Sequence, residues 1–253
     1  MKKSILIYLI SGCLLPVFSC KTSHLKPDSV DSLKIGVVAY YPFNGNAADS
    51  SGNGYDGIVN GAVLTTNRFG KANAAYYFNG ASNISVNDAT ALRLNNTDFT
   101  INAWVRLDDF NTSSLSSAVI DKRTTNGSLL CWYLGINGTV NTTPTGEVYY
   151  GPGGGFPGIT SNNGIPVNTW TMVTAVYSLK TQSIKIYIDG LFSAQSQQSI
   201  ATPDPANNAN MYIGSDNPFN PTAYCLKGSI DDIRIYNRGL SGHEIGQLFI
   251  RSN

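Results

Sequence analysis

The sequence predicts an all-β domain, two packed antiparallel sheets with a short C-terminal helix. Three observations carry that prediction. Short runs of β-branched and aromatic residues recur along the chain, separated by clusters of Gly, Asn, Ser and Pro. Glutamate, a good helix former, occurs only at Glu147 and Glu244. The strand candidates follow one another without interspersed helical patterns, which points to a two-sheet sandwich rather than a parallel sheet. A length of 253 residues permits one large domain or two small ones, and 42% hydrophobic residues give a globular composition. The unbroken strand series favours one domain over residues 37–253.

The chain opens with Lys2 and Lys3 ahead of the apolar run ILIYLISGCLLPVF. A charged start and a modest apolar run make an export signal, too short to favour a membrane-spanning helix. Ser19 and Cys20 resemble the cleavage box of a bacterial lipoprotein. That resemblance implies cleavage before Cys20, a lipid on its sulfur, and a place in the cell envelope on a bacterial membrane, the outer membrane foremost. The alternative is ordinary secretion with cleavage nearby. Residues 21–36, polar and unpatterned, read as a flexible tether.

Without residues 1–20 the chain keeps 15 basic against 16 acidic residues, a balance of −1. A nearly neutral chain without a Lys/Arg block has no general attraction for nucleic acid. Cys13 leaves with the signal and Cys20 is the lipidation candidate. Cys131 and Cys225 remain, a disulfide pair in an oxidising compartment. Closing about 95 residues would restrict the unfolded chain by roughly 4.7 kcal/mol. The alternative is two buried thiols that never meet.

The strands begin with VVAYYPF (37–43), followed by AAYYFNG (74–80) and NISV (83–86). FTINAWVRL (99–107) alternates, with Phe99, Ile101, Ala103 and Val105 on one face and Thr100, Asn102, Trp104 and Arg106 on the other. SSAVIDK, LLCWYLGI, TWTMVTAVY and SIKIYIDG continue the series, and NMYIG and GSIDDIRIYN close it. Trp104 and Trp170 lie inside strongly patterned strands and are expected in the core. A helix is expected over 241–251: Ser241 and Glu244 make a capping box, and Ile245, Leu248 and Phe249 form an apolar stripe that would plug one end of a sheet.

The loop NGNAADSSGNGYDG (44–57) places Asp49, Ser51 and Asn53 at alternating positions before Gly54, the front half of a calcium-loop pattern. The back half is missing, because Asn60 stands where a bidentate glutamate belongs. The other reading is a polar turn in which Asp49 caps backbone amides.

Three segments together resemble one family: YYPFNGNAADSSGNGYDGIVNGA, then FTINAWV with NTWTMVTAVYSLKTQSIKIYIDG, then GSIDDIRIYNRGLSGHEI. They look like laminin-G-like domains of the concanavalin A-like lectin/glucanase superfamily, over roughly residues 37–250. The resemblance implies a two-sheet antiparallel jelly-roll sandwich and, often, one Ca2+ at the sheet edge. First and last strands are neighbours in that family, which would bring Asp231, at its recurrent acidic position, close to the loop after the first strand. Asp49 and Asp231 would then supply the two charges, with Asn53 or Ser51 and carbonyls completing the shell. Asp232 falls where the family varies.

Glucanases of this superfamily carry paired glutamates on one strand, and hydrolysis needs two carboxyls flanking the scissile bond. This chain has no such run. His24 lies in the tether and His243 in the helix, so no histidine is placed for a catalytic triad. The expectation is therefore a non-catalytic module for an extracellular glycan. A structural or adhesion module for an envelope or extracellular protein partner is the alternative, and a glycoside hydrolase comes last. Sugar sites pair aromatic platforms with amide and carboxylate groups. The candidates are Trp132, Tyr149, Tyr150 and Phe156, flanked by Asn162 and Asn163, in a loop-rich region over 126–163. The other reading places Trp132 in the core and the tyrosines over a sheet face.

Overall fold

The computed structural model describes residues 31–110, 116–123, 132–137, 139–140, 143–144, 147–151, 158–216 and 224–251. The strands are β1 (Val37–Tyr41), β2 (Gly57–Asn60), β3 (Val63–Thr65), β4 (Ala75–Asn79), β5 (Asn83–Val86) and β6 (Phe99–Leu107). Then come β7 (Ser116–Asp121), β8 (Tyr133–Asn137), β9 (Thr139–Val140), β10 (Thr143–Pro144), β11 (Glu147–Gly151) and β12 (Ile159–Gly164). The chain closes with β13 (Thr171–Ser178), β14 (Ser183–Ile188), β15 (Leu191–Gln195), β16 (Met211–Ile213), β17 (Lys227–Tyr236) and helix α1 (Gly242–Ile250).

Two large antiparallel sheets result, with β9 and β10 pairing separately as a two-stranded ladder. One runs β15-β14-β13-β6-β17-β4-β3 with β1 also on β17, the other β12-β11-β8-β7-β16-β5-β2. The path puts β12 and β15 at one rim of the sandwich and β2 and β3 at the other. This is the expected jelly-roll sandwich. The alternation in β6 holds: Phe99, Ile101, Ala103, Val105 and Leu107 join the core between the sheets, along with Trp132, Leu134 and Ile230.

The opposite face of the larger sheet is covered rather than wet. Trp104, Met172 and Tyr236 pack there with Ile245 and Leu248 of α1. Phe249 stacks on Trp104 at 5.6 Å between ring centroids. The helix therefore lies across this sheet face instead of plugging its end. Both arms of the capping box form, from Ser241 to the Glu244 amide and from Glu244 back to the Ser241 amide.

The domain also starts earlier than residue 37. The compact unit runs from Ser32. Leu33 is buried, its carbonyl accepts from Tyr236 Oη at 3.1 Å, and the Ser32 carbonyl accepts from Arg238 Nη2 at 2.6 Å. Four scattered apolar residues, Leu25, Val30, Leu33 and Ile35, offered no period to read.

The central strand is the last one. β17 pairs with β6 on one side; on the other, Lys227–Ile230 pair with β4 and Ile233–Tyr236 with β1. β1 and β4 thus abut end to end along β17. At that seam the register slips between Asp231 and Arg234, and Asp232 takes a left-handed φ of 49°. A bulge of this kind turns a side chain out of the regular alternation.

Candidate functional site

The rim formed by β12 and β15 carries the candidate site. β14 turns into β15 through Asp189 and Gly190, both at positive φ (49° and 81°), with Ile188 facing Leu191. That is the two-residue turn an Asp-Gly pair favours. Ile186 then faces Ala194 while Tyr187 faces Phe192, so Ser193 is an extra residue in β15. The freed Ser193 reaches across the rim. Its Oγ accepts from the Asn162 amide at 3.1 Å, and its carbonyl accepts from Asn162 Nδ2. This clasp joins the edges of the two sheets.

Beside the clasp lies a groove of about 580 Å³ whose walls include Thr160, Asn162, Phe192, Gln195, Gln197 and Gln198. Phe192 is 58% exposed and is braced edge-on by Tyr187 at 5.8 Å. Among the described residues the groove lining contains no carboxylate and no cation. An exposed ring beside amide and hydroxyl groups offers an apolar C–H platform with donors and acceptors around it.

Gly158, at the groove, sits under the Tyr149 ring, where any Cβ would overlap the ring. Tyr149 is half-buried and lies 5.9 Å from Tyr133. Arg123 stacks 4.0 Å over Tyr133 and grips the buried Asp121 through Nε (3.0 Å) and Nη2 (2.8 Å). Asp216 lies 3.5 Å from the same guanidinium. Burial pushes the Asp216 carboxyl up to about 6, Asp121 adding to the rise and Arg123 opposing it. Burial likewise raises Asp121 against the pull of Arg123. Asp121 and Asp216 thus share one guanidinium. Asp121 is committed to Arg123 and 1% exposed, so it presents no oxygen to a sugar.

Several expected ligand residues lie elsewhere. Trp132 is fully buried and its Nε1 donates to the Leu92 carbonyl at 3.0 Å. Tyr150 is buried in the same core, 6.1 Å from Phe99. Both are corrections: strand parity turns Trp132 and Tyr150 inward, while Tyr133 and Tyr149 lie on the other face. Asn162 lines the groove. Asn163 is exposed, and its carbonyl accepts from Ser161 Oγ at 2.6 Å. Phe156, Cys131 and Cys20 lie outside the described residues; Cys225 is buried. Phe192, Gln195, Gln197 and Gln198 were missed, because only long-range pairing places β15 beside β12.

The residues expected to hold calcium do not fit the ion. Asp49 Oδ1 accepts from the amides of Tyr40 and Ser51, each at 2.9 Å. Asp49 Oδ2 accepts from Ser51 Oγ at 2.7 Å and the Tyr55 amide at 3.1 Å. Asn53 Nδ2 donates to the Val38 carbonyl at 2.9 Å. The loop is organised as the polar turn, with Asp49 as its hub. Asp231 is bound by Arg68, which also donates to Asp232. Burial raises the Asp231 carboxyl, with Arg68 opposing and Asp232 adding to the rise. Asp49 is engaged by donors of the chain through both oxygens and Asp231 through Oδ2, while the buried Asp231 Oδ1 has no hydrogen-bond partner among the described residues. Among the described residues no group of three or more His, Cys, Asp or Glu converges on a metal position.

Solved structures share the fold. Domain 4 of AbnA, a GH43 extracellular arabinanase from Geobacillus stearothermophilus in complex with arabinotriose, is 22% identical, with a TM-score of 0.61 over 84% of this chain and 97% of that one. The binding domain of Paraclostridial Mosquitocidal Protein 1 is 19% identical, with a TM-score of 0.65 over 86% of this chain and 52% of that one. The binding domain of Botulinum Neurotoxin DC in complex with SialylT is 14% identical, with a TM-score of 0.62 over 85% and 51%. The chain spans about half the length of the two toxin domains. No curated protein matches it in sequence. With sheets, rims and central strand in place, and the family model of the concanavalin A-like lectin/glucanases superfamily matching residues 78–246, the chain belongs to that superfamily.

Proposed function

We propose that the protein is an exported, lipid-anchored, non-catalytic module that binds a neutral extracellular glycan in the β12–β15 groove. The observation that carries this reading is the exposed Phe192 ring beside an amide-lined groove free of carboxylates. A ring and amides recognise sugar faces and hydroxyls, whereas hydrolysis needs two carboxyl groups across the bond. The single-domain relative with bound arabinotriose suggests short arabinans as the first ligands to try. The anchor rests on the Ser19-Cys20 box after an apolar run, and it implies a cell-envelope location.

A glycan array probed with the protein and with Phe192→Ala and Gln197→Ala tests the site. The expected result is one class of neutral glycan, bound at least about tenfold more weakly by each variant, a loss of roughly 1.4 kcal/mol. Signal that persists unchanged in both variants overturns the groove assignment.

A second reading has its own observation. Ile58 and Val59 on β2 and Val63 on β3 are exposed at the opposite rim, by 53%, 40% and 56%. Apolar side chains on two edge strands suit a protein partner. A silent array with pull-down of one envelope protein, lost in Ile58→Lys, favours that role.

A further inference from the structure

The helix-covered face of the larger sheet carries apolar side chains that its own packing does not use. Ile250, in the last turn of α1, is 79% exposed, and Leu191, just after the β14–β15 turn, is 74% exposed. Neither belongs to the apolar cluster beneath the helix. The fold nevertheless brings them together. Gly190 of the turn lies so close to α1 that a Cβ there would sit 3.2 Å from Phe249 Cβ. Leu191 therefore leaves the turn beside the last turn of the helix. Phe249, itself exposed, is fixed by stacking on Trp104 with 14° between the ring planes. Beyond Trp104, Arg68 lies between that ring and the exposed ring of Phe69. Phe69, Phe249, Leu191 and Ile250 thus form one apolar band held by turn, helix and ring stacking.

Two observations point to what covers this band. The first is its chemistry. Residues 246–250 of α1 include no charged side chain, and an uncharged surface with projecting Leu, Ile and Phe suits the headgroup–acyl boundary of a bilayer. The second is where the chain enters the domain. Leu33 packs in the same apolar cluster as Ile245 and Leu248 of α1. Arg238 ties the carbonyls of Ser32 and Ile35 to Glu244 of the helix. The segment that follows Cys20 therefore arrives on the helix side of the larger sheet. Residues 21–31 can span at most roughly 40 Å. A lipid on Cys20 keeps this face close to the membrane, where a contact too weak for the free protein becomes populated.

We propose that the folded domain docks this band on the bilayer, with Leu191, Phe249 and Ile250 entering the headgroup–acyl boundary and Phe69 at the margin. The inference rests on the lipid-anchored reading above and adds a second membrane contact to it. It also sets an orientation, because the smaller sheet then faces away from the lipid. Apolar docking differs from the attraction of a polybasic segment, which follows lipid charge and weakens with salt.

Full-length protein exported by a bacterial host is purified, and the mass of its N-terminal peptide shows whether Cys20 carries lipid. The lipidated protein is inserted into phosphatidylcholine vesicles, with and without phosphatidylglycerol, whose acyl chains carry bromine near the headgroup. Bromine quenches tryptophan fluorescence on close approach, and Trp104 stacks against Phe249. The expected result is quenching of similar depth on both lipids, at low and at physiological salt. Leu191→Glu combined with Ile250→Glu should reduce it at least about threefold with an unchanged melting temperature, since both side chains are largely exposed. Ile58→Glu, at the β2 rim, should leave it intact. Quenching that is absent from the unsubstituted protein, or unchanged in the double variant, overturns the docking and leaves the anchor standing. Quenching confined to phosphatidylglycerol at low salt also overturns it, because charge then holds the protein. Loss in Ile58→Glu alone overturns it and moves the membrane contact to β2. Cys20 without lipid overturns the anchor reading and the docking with it.

Discussion

Arg68 Nη2 donates to Asp232 Oδ2 at 2.9 Å, joining the β3–β4 loop to the bulge of the last strand across 164 positions of sequence. Its other terminal nitrogen holds Asp231, and the guanidinium is sandwiched between Phe69 (4.4 Å) and Trp104 (4.6 Å). All three charged side chains are almost completely buried. Removing the cation would strand the buried Asp231 carboxylate and leave Asp232 with Arg234 alone. Arg68→Ala is expected to cost about 3–5 kcal/mol in urea unfolding, the usual penalty for breaking a buried pair from one side. Arg68→Lys keeps the charge, loses the fork, and should fall between.

Calcium should not matter to stability. With Asp49 and Asp231 engaged by donors of the chain, chelator is expected to leave the melting temperature unchanged. Asp49→Ala should still destabilise by about 1–3 kcal/mol, because the amides of Tyr40, Ser51 and Tyr55 lose their acceptor. A chelator-induced drop that Asp49→Ala abolishes would restore the metal.

Helix α1 carries an acid-sensitive latch. Hydrogen bonds from Arg238 foremost hold the Glu244 carboxyl at about 2, against an ordinary 4.5, with burial opposing and Ser241 assisting. A carboxyl depressed by folding stabilises fully above its unfolded pKa and loses that contribution as pH falls through its folded one. Melting temperature should therefore decline between about pH 4.5 and pH 2 partly through this group. Glu244→Gln is expected to flatten that decline and to lower stability at neutral pH.

Trp132 should behave as a core residue. Trp132→Ala is expected to lose about 3–5 kcal/mol without changing groove affinity in protein that remains folded. Denaturation and ligand titration of the same variant separate the two effects.

The alternation in FTINAWVRL and the Ser241–Glu244 capping box were legible because each is a local pattern whose physics acts within a few residues. The faces of LLCWYLGI and EVYYG were not. Trp132 next to Tyr133, and Tyr149 next to Tyr150, put an aromatic on both faces, so a one-residue shift of register exchanges candidate ligand for core. The bulge at Asp232 was equally hidden, since a second aspartate in a strand carries no periodic signal. Asn162 was found by composition. Its partner Ser193 needed the meeting of two edge strands far apart in sequence.

Placing the final strand in the middle has a kinetic consequence. Tyr40 pairs with Arg234, and Phe78 with Gly228, so the first strand and the fourth wait for a partner made 194 and 150 positions later. A nascent chain lacking residues 227–236 has three unfilled strand edges, on β1, β4 and β6. Such long-range pairing makes folding slow and leaves the intermediate prone to aggregation. Ribosome-tethered chains that end before Lys227 should all be protease-sensitive, and longer ones should become resistant in one step once Tyr236 has emerged.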